Sequence, residues 1–290
     1  MVQDDRSATN NARDSQQADS IYTEWAQIAP EKVVVATPDR AWLYKPRSAE
    51  DHFARPMEGV GSFATTRKLL DTAIAAAKCA VKSDVRPPAL TSTRWVWRLA
   101  GAYHMTSPVP NLMRNAAKGF AANSRFELEA WALEKAEEET GHDLLALKDI
   151  QSLGYNSQAV VETLIPPAAK ALMDYFARST QDKNPIDCVG YTYTMERLSL
   201  GIKEDYIQKV EESIPPGINA TRCLRVHSSV GADAGHADEN VHSIAKLTAS
   251  ERTRIARACY ETALMCFSPP PGDYVADEQL LKILQPLKSN

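Results

Sequence analysis

The sequence predicts an all-α protein with an irregular N-terminal arm, and three observations carry that prediction. From residue 62 onward apolar residues recur at helical spacing, as in Phe63, Leu69, Leu70, Ile74, Ala77 and Val81. Prolines and glycines gather mainly between such stretches, at 86–89, 107–110, 215–217 and 268–272, where they break helices. Neither the apolar–polar alternation of a half-buried strand nor a Gly-rich phosphate loop occurs in that body.

Composition bounds the answer. The 290 residues are 44% apolar and 24% charged, enough to bury one large core or two modest ones. A net charge of −4 offers no basic footprint, which excludes nucleic acid as an expected partner. No run of about 18 apolar residues is present, so no membrane span is expected. The first twenty residues are polar and acidic, unlike a signal peptide, and the reading is a soluble, cytoplasmic protein. Its five cysteines, Cys79, Cys188, Cys223, Cys259 and Cys266, have no C-x-x-C spacing and read chiefly as small buried residues.

In chain order, residues 1–20 are expected to form a disordered tail, being rich in Asn, Gln, Asp and Ser. Residues 21–61 mix Trp25, Trp42 and Phe53 with several prolines and read as the irregular arm. Within them Val33–Val35 favours a short extended piece. Residues 62–290 form the helical domain. Its first helix follows Ser62, and the aromatic-rich stretch Thr91–Thr106 is the second. After a short helix over Asn111–Ala122, Asn123 or Ser124 caps a long one from Arg125 to about Leu153, ended by Gly154. The next begins at Asn156 or Ser157 and is kinked or split by Pro166-Pro167. Ile186–Ile202, Lys203–Ile214, a long helix from Asn219 or Thr221 to about Lys246, Ser250–Phe267 and Glu278–Leu287 complete the set.

Polar residues interrupt three of these helices where apolar ones would pack. In EKAEEETGHDLLALKD (134–149), Glu138, Glu139 and His142 sit at i, i+1 and i+4, so either glutamate can share a helix face with His142. In YTYTMERLSL (191–200), Glu196 stands in an aromatic and apolar segment, where a carboxylate must be paired, bound to a cation or protonated. In 224–244, Asp233 and His236 share a face, while His227 lies nine residues before His236, on the opposite side of an ideal helix. A bulge at Gly231 and Gly235 would bring it round. Glu239 and His242 read as outer-face residues.

The succession EETGHDLLALKDIQSLG, YTYTMERLSL and HSSVGADAGH resembles the heme-oxygenase-like helical superfamily, and within it the di-iron oxidase branch of iron-containing redox enzymes, related in fold to TenA-type thiaminases. The likeness covers roughly Thr91 to Phe267. It implies a heme-oxygenase-like multi-helix bundle. It also implies an iron site, with two ions, whose ligands are Glu139 (or Glu138) with His142, then Glu196, then His227, Asp233 and His236. Two departures accompany it. The last set lacks the usual H-x-x-x-D-x-x-H spacing, because His227 precedes Asp233 by six residues and Ser229 stands where a histidine is expected. The earlier glutamate the family often supplies is missing, and His104 is the candidate in its place.

Carboxylates and imidazoles without a placed thiolate suit non-heme iron. The implied function is an oxidase or oxygenase with O₂ as co-substrate, acting on a small organic molecule in an apolar helical cavity. Trp95, Trp97, Tyr103, Tyr191 and Tyr193 are candidates for its lining, and equally for core packing. A homodimer is left open. The alternatives are a metal-free TenA-like hydrolase using Cys188 or Cys223 as nucleophile, a heme oxygenase proper, and a non-catalytic helical binding protein.

Overall fold

The computed structural model describes residues 23–81, 87–228 and 236–289, with the side chains at 236 and 237 not among those described. The tail expected over 1–20 lies outside these residues. The chain divides into two compact units: Met1–Ala80 with Asp238–Glu261, and Val81–Ala237 with Thr262–Asn290. No helix among the described residues is long and apolar enough to cross a membrane.

The first unit holds a small sheet where the sequence suggested an irregular arm. Strands β1 (Glu24–Ala29), β2 (Lys32–Ala36) and β3 (Ala41–Tyr44) form an antiparallel meander in that order. Val33, Val34, Val35 and Ala36 are all buried, so β2 is covered on both faces and shows no alternation to read. One face packs Trp25, Val33 and Val35 with Met57 and Phe53. Helix α1 (Phe63–Ala80) also packs against the sheet. A fully buried ion pair locks this unit: Arg252 Nε lies 2.6 Å from Glu24 Oε1, and Thr66 Oγ1 donates to Glu24 Oε2 at 2.6 Å. Arg252 stands on α12 (Ala249–Phe267), which follows α11 (His236–Ala245).

The second unit is helical. Its spine is α2 (Ser92–Thr106), capped by Thr91 and packed against α5 (His142–Ser152), α7 (Pro167–Gln181) and α13 (Asp277–Leu284). Helices α3 (Val109–Ala122) and α4 (Phe126–Glu138) form a hairpin, with Ser124 in the left-handed region at φ 56°. Pro166-Pro167 separates α6 (Ser157–Thr163) from α7, the split the sequence suggested. Then come α8 (Asp187–Ser199), α9 (Glu204–Glu212) and α10 (Arg222–Val226).

Two helices expected to be continuous are broken. The long one over 125–153 stops at Glu138 and restarts at His142, because Gly141 takes φ 90°, a left-handed conformation that ends a helix. The one expected from 219 or 221 to 246 appears as α10 and α11, on either side of residues 229–235, which are not described. The core gathers Trp95, Leu99, Ala146, Ile150, Val160, Val210 and Leu280 from five different helices.

A candidate metal centre beside an apolar cavity

The break at Gly141 sets the geometry of the site. Glu139 is the residue after the last turn of α4, its N–H still bonded to Lys135 O, and His142 opens α5. The pair sits on a corner rather than along one helix, and His142 Nδ1 lies 3.1 Å from Glu139 Oε2. The neighbouring glutamates part company: Glu139 lies beside His142, while Glu138 turns to Lys135, whose Nζ is 2.8 Å away.

His227 completes the group from α10. This helix of five residues could not hold its place by propensity alone. It is tied to α5 by Asp149, fully buried, whose Oδ2 accepts from the Cys223 N–H at 2.9 Å and whose Oδ1 accepts from Arg222 at 2.9 Å. Burial pushes the Asp149 carboxyl above its usual range, against the opposing pull of those bonds. Four residues past Cys223 the chain reaches His227, whose ring lies edge-on to that of His142 with centroids 4.8 Å apart. One ligand atom each from Glu139, His142 and His227 lies within 4.8 Å of the others.

A cavity of about 450 Å³ opens beside this group, within the usual range for a small-molecule site. One face of α2 lines it with Trp95, Arg98, Leu99, Ala102, Met105 and Thr106, at helical spacing. Helix α8 contributes Tyr191, Thr192, Met195, Glu196, Leu198 and Ser199. Glu139, His227 and Cys223 reach it from the metal side, and the remaining wall includes Val109, Met113, Phe176 and Ile202. Of the candidate aromatics, Trp95 and Tyr191 face the cavity, whereas Trp97 and Tyr103 belong to the core cluster. The Arg98 guanidinium donates to the Tyr206 hydroxyl within the lining.

Glu196 does have the cationic partner its apolar segment demanded. Lys135 Nζ lies 3.1 Å from Glu196 Oε1, with Lys135 buried and Glu196 largely so. Burial pulls the Lys135 ammonium down, but Glu196 and Glu138 more than offset it and hold the group above its ordinary value. Sequence reasoning passed over Lys135, since a lysine in a Glu-rich helix reads as solvated. Its only signal was spacing, three and four residues before Glu138 and Glu139.

One other candidate among the described residues falls elsewhere. His104 Nε2 faces the carbonyls of Val161 and Leu164 at 2.9 and 3.0 Å, capping the end of α6. Asp233 and the side chain of His236 lie outside the described residues. His242 stacks on Phe63 in the first unit, with ring centroids 4.3 Å apart. Of the two cysteines considered as nucleophiles, Cys223 is pushed by burial to about 12, and Cys188, fully buried, is pushed up further. Both are thiols at neutral pH.

A family model described as "Iron-containing redox enzyme" matches residues 94–268, from the first turn of α2 to the end of α12. The chain belongs to that family. Among solved structures it is similar to a domain of unknown function with a heme oxygenase-like fold from Shewanella denitrificans OS217. The two are 18% identical, with a TM-score of 0.52 over 75% of this chain and 86% of that one. A search of curated proteins found no match. The fold is heme-oxygenase-like and all-α but for the small sheet.

The residues present fit the iron that the family description implies. Two imidazoles and one carboxylate are a donor set suited to non-heme iron(II) that leaves coordination positions open. Ligand atoms about 2.1 Å from one ion stand at most ~4.2 Å apart, so the observed group needs only a small contraction to close on a metal.

Proposed function

We propose that this iron-containing redox enzyme family member is an O₂-dependent oxidase or oxygenase that holds non-heme iron with Glu139, His142 and His227. Its substrate is a small organic molecule lodged in the adjoining cavity. The observation that carries this reading is the convergence of these three side chains, two of them also lining that cavity. Iron bound there would supply O₂ activation and oxidation of the substrate. The chain's own residues do the rest. Asp149 holds α10 so that His227 faces His142. The apolar surfaces of α2 and α8 exclude water and orient the substrate. Arg98 and Tyr206 place polar hydrogens in a largely apolar wall.

The test starts from chelator-stripped protein titrated with iron(II) under anaerobic conditions, then exposed to O₂ while oxygen consumption is followed. Specific uptake, reduced at least tenfold in Glu139→Ala, His142→Ala and His227→Ala, is the expected result. Protein that takes up no iron, or takes it up equally well in all three variants, would refute the proposal.

A further inference from the structure

Two carboxylates near the site, Glu138 and Glu196, already share a cation, and the chain itself supplies it. Lys135 Nζ stands between Glu138 Oε2 at 2.8 Å and Glu196 Oε1 at 3.1 Å. The Lys135 side chain is 9% exposed and that of Glu196 12%, so the contact is not a solvated surface pair. Both line the cavity together with Glu139 and His227. Lys135 lies four residues before Glu139, one turn down α4, and its ammonium reaches across to α8.

A buried carboxylate that remains ionised needs a positive neighbour, and either an ammonium or a metal ion can serve. An ion placed to draw Glu196 toward Glu139 would enter beside the Lys135 ammonium and be repelled by it. It would also compete for oxygens that Lys135 already uses. Among the described residues the donors therefore differ in kind: two imidazoles and Glu139 in one group, two carboxylates already neutralised by lysine in the other.

We propose that Lys135 takes the place of a second metal ion, so that the chain binds one ion, at Glu139, His142 and His227, while Glu138 and Glu196 serve as partners of the ammonium. This rests on the iron-binding reading above and replaces the pair of ions that the sequence resemblance implied.

The experiment is a manganese(II) titration of the full chain after chelation, with bound metal counted by elemental analysis and its environment read by electron paramagnetic resonance. One ion per chain with the spectrum of an isolated ion is expected. Glu196→Gln should keep that count, with an affinity within about threefold of the parent. Lys135→Ala should admit a second ion, seen as a higher count and a coupled spectrum. Two coupled ions in the unaltered chain would overturn the proposal and leave the iron-enzyme reading intact, whereas no bound ion would overturn both. Loss of the single ion in Glu196→Gln, or a count that stays at one in Lys135→Ala, would also overturn it. The unaltered chain and Glu196→Gln decide the matter should Lys135→Ala fail to fold.

Discussion

Replacing Asp149 should weaken metal binding without removing any ligand. Its carboxylate is fully buried and accepts from the Cys223 N–H and from Arg222, both at 2.9 Å. In Asp149→Ala the buried Cys223 N–H loses its acceptor, at a cost of about 1–3 kcal/mol. Arg222 is 35% exposed and can turn to water, so its share is discounted to ~1 kcal/mol or less. The expected loss of folding stability is then about 1–4 kcal/mol. Because His227 follows directly on α10, part of that loss appears in binding, and each ~1.4 kcal/mol is tenfold in affinity. Asp149→Asn keeps an oxygen acceptor for Cys223 and carries no charge to bury, so ~1 kcal/mol is expected. Urea unfolding and metal titration measure both quantities. The sign of the pH effect follows from the raised folded-state value: the folded chain holds this proton more tightly than the unfolded one. The associated stability is complete below the ordinary value of 3.8 and is lost as pH rises through the raised one. The advantage of parent over Asp149→Asn should therefore shrink as pH rises from 3.8 through the raised value. A stability within about 0.5 kcal/mol of the parent in Asp149→Ala, or lost stability with unchanged metal affinity, would refute the role given to this tie.

Gly141→Ala meets no neighbour but must adopt φ 90°, so a loss of about 1–2 kcal/mol is expected, together with weaker metal binding as the Glu139–His142 corner opens. The check is unfolding and titration side by side. Cysteine alkylation at pH 8 should label exposed Cys79 while sparing Cys223, whose thiolate fraction four pH units below about 12 is ~10⁻⁴. Rapid labelling of Cys223 by mass spectrometry would revive the metal-free hydrolase. Arg252→Met strands a buried carboxylate in the first unit and should cost about 3–5 kcal/mol. A loss under ~1 kcal/mol in denaturant would show that Thr65 and Thr66 suffice for Glu24. Ala102→Trp should fill part of the cavity, abolishing uptake of apolar probes while leaving metal affinity unchanged. Loss of metal in that variant would mean that the cavity and the metal group are not separable.

Most of the helical body was legible because its signals are local. Pro166-Pro167 and the 215–217 turn break helices wherever they stand, and the apolar faces of α1 and α2 repeat at 3.6 residues. The sheet was not, since β2 is buried on both faces and a run of valines carries no period of two. The break at Gly141 escaped for a different reason. One glycine in a helix-forming stretch is ordinarily tolerated, and only the backbone reveals the positive φ that turns the chain. That break sets Glu139 beside His142 and leaves Glu138 with Lys135, a distinction that helical spacing alone does not make. His227 is a parallel case: nine residues from His236, it would face away on a continuous helix, but α10 ends at Val226 and leaves it off any such axis.

Glu196 marks the limit of this kind of reading. Its apolar surroundings required a positive partner, and that requirement follows from the sequence. The partner's identity does not, because the demand for charge is the same whether a metal ion or an ammonium meets it. What separates the two is reach across elements: Lys135 on α4 faces Glu196 on α8 at 3.1 Å, a pairing of residues sixty-one positions apart. The family resemblance pointed toward metal at Glu196 as well as at Glu139 and His142. Among the described residues the geometry gives Glu139, His142 and His227 as a donor set suited to a transition metal and gives Glu196 a lysine already bonded to it, so the number of ions should follow the placement of that single side chain.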